Sequence, residues 1–169
     1  MVKQKIRSAD EVSFLVKKAR EKGRKVGLVT GCFDILHLGH IELFRFAKKK
    51  VDILIVGVDN DDSIRISKGR NRPLNTQRER ISFLSEVLLL DYIFPIEKVY
   101  TFDASEASMF HKKLLRKINP EYLITATIAD RYWKNKKKIT EELGIKFLPD
   151  TRRRKNASSK IIEKLEKEL

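Results

Sequence analysis

Apolar residues in this 169-residue chain recur in two rhythms that take turns along its length. Val12, Leu15, Val16 and Ala19 fall at helical spacing. Ser8 and Glu11 stand ahead of them as a capping box and Gly23 follows as a stop, so the chain is expected to open with a helix. Val26–Thr30 and Ile53–Val58 are short, nearly continuous apolar runs, the pattern of central parallel strands buried on both faces. These two are expected side by side, joined by a crossover helix over Ile41–Lys50. Further strands are expected at Tyr92–Ile96, Tyr122–Thr125 and Lys146–Leu148. Helices are expected near Thr76–Leu89, Ala104–Lys117 and Lys134–Leu143, with a last one from Ser158 to the end. No internal repeat or low-complexity tract interrupts the alternation. It predicts an α/β fold, a Rossmann-like, doubly wound five-stranded parallel sheet in a single domain spanning 1–169. Ligands in such folds bind at the carboxyl edge of the strands, where His37, Asp61, Ala126 and the loop after Leu148 fall.

Length agrees with one ordinary domain and a real core. The chain carries 37 Lys+Arg against 23 Asp+Glu, a formal +14, so its field should attract polyanions such as nucleotides, sugar phosphates or nucleic acid. Fourteen basic and five acidic residues lie between Lys112 and Lys155, which puts most of the excess in the C-terminal half. The single cysteine, Cys32, excludes an intramolecular disulfide and fits a reducing compartment. No apolar run approaches the roughly 18 residues of a membrane span, and the N-terminus lacks a secretory apolar region. A soluble, cytoplasmic protein is the expectation.

The stretch Thr30–His40, TGCFDILHLGH, lies where the first strand hands over to a helix. A parallel strand feeding a helix N-terminus leaves backbone N–H groups free to meet an anion, and phosphate is the natural guest. His37 and His40, spaced i, i+3 across Gly39, can both present ring N–H groups to it. The same spacing also suits a metal pair or an ordinary helix start, but no third ligand of His or Cys type lies nearby. His111 falls inside another expected helix and reads as a surface or packing residue. Gly31 and Gly39 would let backbone approach phosphate closely, and each also serves as a plain turn residue. Phe33 reads as a pocket wall. Cys32 reads as small filler, since neither a resolving cysteine nor an evident base partner accompanies it. Asp59, Asp61 and Asp62 invite a metal reading, yet DNDDSIRISKGR lacks the glycine at position 6 and the glutamate at position 12 of a calcium loop.

TGCFDILHLGH resembles the signature of the nucleotidyltransferase superfamily, which includes cytidylyltransferases, adenylyltransferases and, more distantly, class I aminoacyl-tRNA synthetases. The short chain argues against a synthetase. Lys68-Gly69, Arg72-Pro73 and Arg80 in SKGRNRPLNTQRER are similar to a block of the heptose-1-phosphate adenylyltransferases, as is the helix before the first strand. Glycerol-3-phosphate cytidylyltransferase is a close second likeness. RRRKNASSKII resembles the family's basic residue followed by a Ser/Thr pair and a final helix, which places Arg152, Ser158 and Ser159. Two stretches depart from the pattern. TATIADRYW stands where relatives usually carry a glycine-rich turn followed by Asp and an aromatic residue, with Ala129-Asp130 and Tyr132 or Trp133 as the counterpart. Thr30 stands where heptose-type enzymes commonly have asparagine.

The resemblance implies a Mg²⁺-dependent enzyme that joins a nucleoside monophosphate, AMP favoured over CMP, to a small phosphorylated sugar or polyol and releases pyrophosphate. ATP or CTP and the acceptor phosphate are then the partners, a homodimer is plausible, and neither membrane nor nucleic acid is expected. By the same likeness His37, His40 and Lys68 are catalytic. Thr30, Gly31, Cys32, Phe33, Gly39, Arg80, Ala126, Thr127 and Arg152 meet the nucleotide, together with Ser158 and Ser159, which also cap the last helix. Asp34, Asp61, Lys68 and Asp130 meet the acceptor, with Asp34 chiefly organising its loop and Asp61 also a candidate cap for the helix that follows it. Arg72 and Arg78 are lesser cationic candidates. The competing expectation is a nucleotide- or RNA-binding protein that uses KNKKK and TRRRK for contact, although no aromatic-interleaved basic strand accompanies them.

Overall fold

The computed structural model describes residues 4–101 and 104–152. Ser158, Ser159 and the last expected helix lie outside them. Eleven elements alternate along the described chain: α1 (Ala9–Glu21), β1 (Val26–Gly31), α2 (Leu38–Lys48), β2 (Ile53–Asp59), α3 (Asp61–Lys68), α4 (Gln77–Ser85), β3 (Tyr92–Ile96), α5 (Ala104–Ile118), β4 (Tyr122–Ala126), α6 (Trp133–Leu143) and β5 (Lys146–Asp150). The five strands form one parallel sheet in the order β3-β2-β1-β4-β5. Winding therefore runs outward from β1 through β2 to β3, then restarts on the other side with β4 and β5. The reversal falls between β1 and β4.

Alternation along the strands explains the double covering. Val26 and Leu28 of β1, with Ile53 and Ile55 of β2, pack on one face against Val12 and Val16 of α1, Leu115 of α5 and Ile139 of α6. Val29, Leu54, Val56 and Val58 point the other way, against Leu43, Phe44 and Ala47 of α2 and Ile81 and Leu84 of α4. Burial on both faces is why these strands read as continuous apolar runs.

Helix starts follow the caps. Ser8 and Glu11 form the expected capping box, and Thr76 and Glu79 form a second one at α4. The expected Thr76–Leu89 helix is shorter, ending at Ser85. The backbone then tightens through Val87 N–H to Leu84 O and Leu90 N–H to Val87 O, which turns the chain into β3. α2 begins at Leu38, three residues before the expected start, because His37 is its N-cap. The charged helix α3 begins at Asp61, where the cap reading implied a helix, although no apolar rhythm marks its extent. Its cap is Asn60, whose Oδ1 accepts from Ser63 N–H, whereas Asp61 lies in the first turn. β5 runs to Asp150 through Pro149, and β3 contains Pro95; both are outer strands, where a missing N–H is tolerated. The free side of β3 receives the N-terminal segment, with Ile93 N–H donating to Lys5 O and Arg7 N–H to Ile93 O.

Gly57, mid-way along the fully buried β2, shows how little slack the core has. A Cβ there would stand 2.8 Å from Cζ of Phe94 and 3.2 Å from Cδ1 of Ile96. Gly57→Val should lower stability by about 1–3 kcal/mol through overpacking, as read by denaturant unfolding; an unchanged midpoint would contradict this packing.

Candidate active site

The signature turn leaves β1 at Gly31 and enters α2 at Leu38. Phe33, buried and at φ +50°, folds its ring back over Gly31, where a Cβ would stand 3.2 Å from ring Cε2. The same ring lies 5.2 Å from that of His40. His37, at the cap, and His40, in the first turn, are half-buried and stack with ring centroids 3.9 Å apart. The His37 N–H donates to His40 Nδ1 at 3.4 Å. An accepting Nδ1 places the proton of neutral His40 on Nε2. The first turn of α2 holds no acidic residue, so nothing there opposes the positive end of its dipole. Gly39 is buried within that turn.

Two arginines fasten the second sequence block onto this turn. Asp34, 2% exposed, accepts from Arg72 Nε at 2.8 Å and from the N–H groups of Leu74 and Asn75. Arg80 is fully buried. Its guanidinium donates to the carbonyls of Cys32, Asn75 and Asp59 and to Oδ1 of Asp61, the last at 2.7 Å. Arg80 thus lies beneath the site with its charge spent on Asp61. Asp34 likewise holds its loop in place. Lys68, the last residue of α3, is exposed, and its charge reaches both Cys32 and Asp59. Burial raises the Cys32 thiol above its ordinary pKa, with the Lys68 charge opposing, so the thiol form is favoured.

The strand ends bring the later residues to the same edge. Ala126 ends β4 beside Asp150 of β5, and Thr127 N–H donates to Asp150 O at 3.1 Å. Asp130 N–H returns to Ala126 O, and its carboxylate accepts from Tyr132 N–H at 2.8 Å and Lys136 Nζ at 2.7 Å. Burial works against that carboxylate, yet the Lys136 charge and these hydrogen bonds hold it below the usual range. Lys136 also reaches Thr30 Oγ1 at 3.4 Å. Asp59, at the end of β2, is pushed up by burial, with the Lys136 charge and the hydrogen bond from Tyr100 opposing. Tyr100 is raised in turn by its own burial and by Asp59. Arg152 is held by Asp150, with Nε to Oδ1 at 2.9 Å, and lies over the Phe46 ring on the outer side of α2. It borders an open groove of about 450 Å³ whose other walls include Arg45, Phe46 and Lys49 and none of the signature residues. Among the described residues, no group of three His, Cys, Asp or Glu could hold a metal ion.

Lys136 and Asn60 are the residues sequence reasoning passed over. Lys136 was absorbed into the basic run KNKKK, although its i, i+3, i+7 partners Ile139 and Leu143 mark it as inward-facing. Asn60 joins β2, α3 and the exit of β3, donating to the carbonyls of Ile96 and Lys98.

The family model described as cytidylyltransferase-like matches residues 28–164. The chain belongs to that family, within the nucleotidyltransferase superfamily. It is 36% identical over 121 residues to the bifunctional protein HldE of Wolinella succinogenes, covering 72% of this chain and 23% of that one. It is 33% identical over 151 residues to HldE of Desulfatibacillum aliphaticivorans, covering 86% and 28% respectively. The chain therefore spans about a quarter of the length of these relatives. Among solved structures, the lipopolysaccharide core biosynthesis protein of Thermoplasma volcanium superposes with a TM-score of 0.60 at 26% identity, over 78% of this chain and all of that one. A pantoate-β-alanine ligase of Francisella tularensis shares the fold at a TM-score of 0.62 and 19% identity, over 98% and 77%. No helix among the described residues is long and apolar enough to cross a membrane.

His111 supplies a pH prediction. It is a packing residue, 7% exposed, with Nδ1 at 2.7 Å from Ala107 O. Burial first, then the Lys136 charge, push its pKa down to about 4 from 6.5. The unfolded chain binds this proton more readily, so the stability from neutral His111 is complete above pH 6.5 and drains away as pH falls toward 4. The loss should be on the order of 3 kcal/mol. His111→Gln should lose correspondingly less between pH 7 and pH 4 in chemical denaturation; parallel profiles for the two proteins would refute it.

Proposed function

We propose that this chain transfers a nucleoside monophosphate, AMP ahead of CMP, from its triphosphate to a small phosphorylated sugar or polyol, with release of pyrophosphate. The observation that carries the reading is the His37–His40 stack at the N-terminus of α2, on the carboxyl edge of β1. Family membership supports the reaction class, and the likeness of the Lys68–Arg80 block to heptose-1-phosphate adenylyltransferases favours a sugar phosphate as acceptor.

The reaction requires little of the protein's own acid–base chemistry. An acceptor phosphate monoester, with a second pKa of about 6, is largely dianionic at neutral pH. One of its oxygens attacks the α-phosphorus while the bond to the α–β bridging oxygen breaks, and pyrophosphate departs with that electron pair. No proton has to be removed first. The protein must align the two phosphates and stabilise charge on the phosphoryl oxygens. In this reading the His40 Nε2–H, His37 and the first N–H groups of α2 face the phosphoryl oxygens, and exposed Lys68 supplies mobile positive charge. Arg80 and Asp34 act beneath them, keeping the turn and the Lys68 segment together.

Mg²⁺ belongs to the triphosphate in this scheme. Asp59, Asp61 and Asp130 are engaged with Tyr100, Arg80 and Lys136, so they do not form a protein cage for it. Bound with the triphosphate, the ion would supply screening of phosphate charge; alignment falls to the side chains above. The rival reading, RNA contact through KNKKK, is weakened because Lys136 points inward and only Lys134, Lys137 and Lys138 of that run are exposed.

The test is pyrophosphate release from each of the four common triphosphates against heptose, glycerol, ethanolamine and flavin-type phosphates. A burst of pyrophosphate with one triphosphate–sugar phosphate pair is the expected result; silence across the whole panel would sink nucleotidyl transfer. With the productive pair in hand, His40→Ala should cut kcat by roughly 10²–10³-fold while leaving the circular dichroism spectrum and Tm close to wild type. A variant keeping more than a tenth of the rate would remove His40 from the transition state.

A further inference from the structure

Lys136 is the odd member of its basic run. Lys134, Lys137 and Lys138 are exposed, whereas Lys136 is 7% exposed with its ammonium between two secondary elements. It donates to Asp130 Oδ2 at 2.7 Å and to Thr30 Oγ1 at 3.4 Å. Thr30 is the penultimate residue of β1, and Asp130 sits in the loop that follows β4. These two strands flank the point where the winding of the sheet reverses, the crevice that receives ligands in open α/β sheets.

Stability gives a poor reason for this arrangement. Desolvating an ammonium and a carboxylate costs about as much as their attraction returns, and apolar replacements of similar volume are often neutral or better. What the pair does secure is conformation. Asp130 is anchored from three sides, by Lys136 Nζ, by Tyr132 N–H and through its own N–H to Ala126 O, while Ala129 N–H also returns to Ala126 O. One buried salt bridge thus fixes the loop from Thr127 to Tyr132 against the end of β1. That loop has no glycine to shape it; the ion pair takes over that task.

We propose that Lys136, paired with Asp130, is a positioning residue for the nucleoside triphosphate: it locks the loop after β4 onto Thr30 so that the crevice between β1 and β4 is shaped for the nucleotide. The proposal rests on the nucleotidyl-transfer reading above. It predicts a defect in triphosphate binding rather than in chemistry. Lys136→Met should raise the KM of the triphosphate about tenfold or more, the loss typical of one charged hydrogen bond, while kcat and the KM of the acceptor stay within about threefold. Equilibrium titrations with Mg·ATP and with Mg·CTP should show the same weakening.

Asp130→Asn should likewise raise the triphosphate KM, and the double variant Lys136→Met/Asp130→Asn should leave that KM no higher than in the poorer single one, since both remove one interaction. The double variant leaves no half of the pair alone, so it carries the test if Lys136→Met fails to fold. A lower Tm with triphosphate KM and affinity unchanged in the double variant would overturn the proposal and leave a purely structural salt bridge. Wild-type protein that binds neither triphosphate and releases no pyrophosphate would overturn nucleotidyl transfer itself. The two failures are therefore separable.

Discussion

The fully buried guanidinium of Arg80 is the interaction on which the carboxyl edge of this sheet depends. A charge that deep is stable only when paired and when its remaining donors are satisfied. Asp61 supplies the opposite charge, and the carbonyls of Cys32, Asp59 and Asn75 take the other donors. Each acceptor comes from a different piece of chain: the signature turn, the end of β2, the start of α3 and the approach to α4. Arg80 can be satisfied only when all four are in place. Its requirement therefore assembles the edge, and the Asp34–Arg72 pair makes a second stitch between the same segments.

This explains which parts of the structure were legible in the sequence. Strands β1 and β2 announced themselves because burial on both faces demands unbroken apolar runs, and α1 because its cap is local. The histidines at the start of α2 were legible too, since a strand–turn–helix and an i, i+3 spacing are short-range patterns. Arg80 stood out only through the family resemblance, and the inward turn of Arg80 and Lys136 did not show. Both sit in strongly charged helices, where a basic residue ordinarily faces solvent, and the partners that draw them inward include groups far away in sequence, the Cys32 carbonyl 48 positions from Arg80 and the Thr30 hydroxyl 106 from Lys136, beside nearer ones such as Asp130. Propensity cannot register such partners. The same limit hid the true cap and the extent of α3, an eight-residue charged helix whose Asn60 cap is fixed by contacts to the end of β3.

Among the cations of the edge a division by burial follows. Arg80 and Lys136 are each neutralised by a carboxylate at 2.7 Å, so they contribute shape more than field. Lys68 is exposed, and in the proposed reaction it would face a charge that builds and departs within one turnover. A buried, paired cation suits a fixed framework because its partners cannot relax away cheaply. An exposed one can follow a leaving pyrophosphate, at the cost of being screened by salt beyond about 10 Å.

That division also bears on the loop after β4, which contains no glycine. A glycine-rich turn obtains its shape from backbone freedom, and a ligand must then pay to order it. Ala126–Tyr132 reaches a defined shape through Asp130 and Lys136 before any ligand arrives. Ordering settled during folding is not charged again at binding, and donors already fixed need no reorganisation when charge develops nearby. A buried ion pair, where a turn could otherwise rely on glycine, thus exchanges backbone freedom for an electrostatic constraint. The constraint holds only while both charges are present, which ties the geometry of the loop to two residues six positions apart on either side of the start of α6.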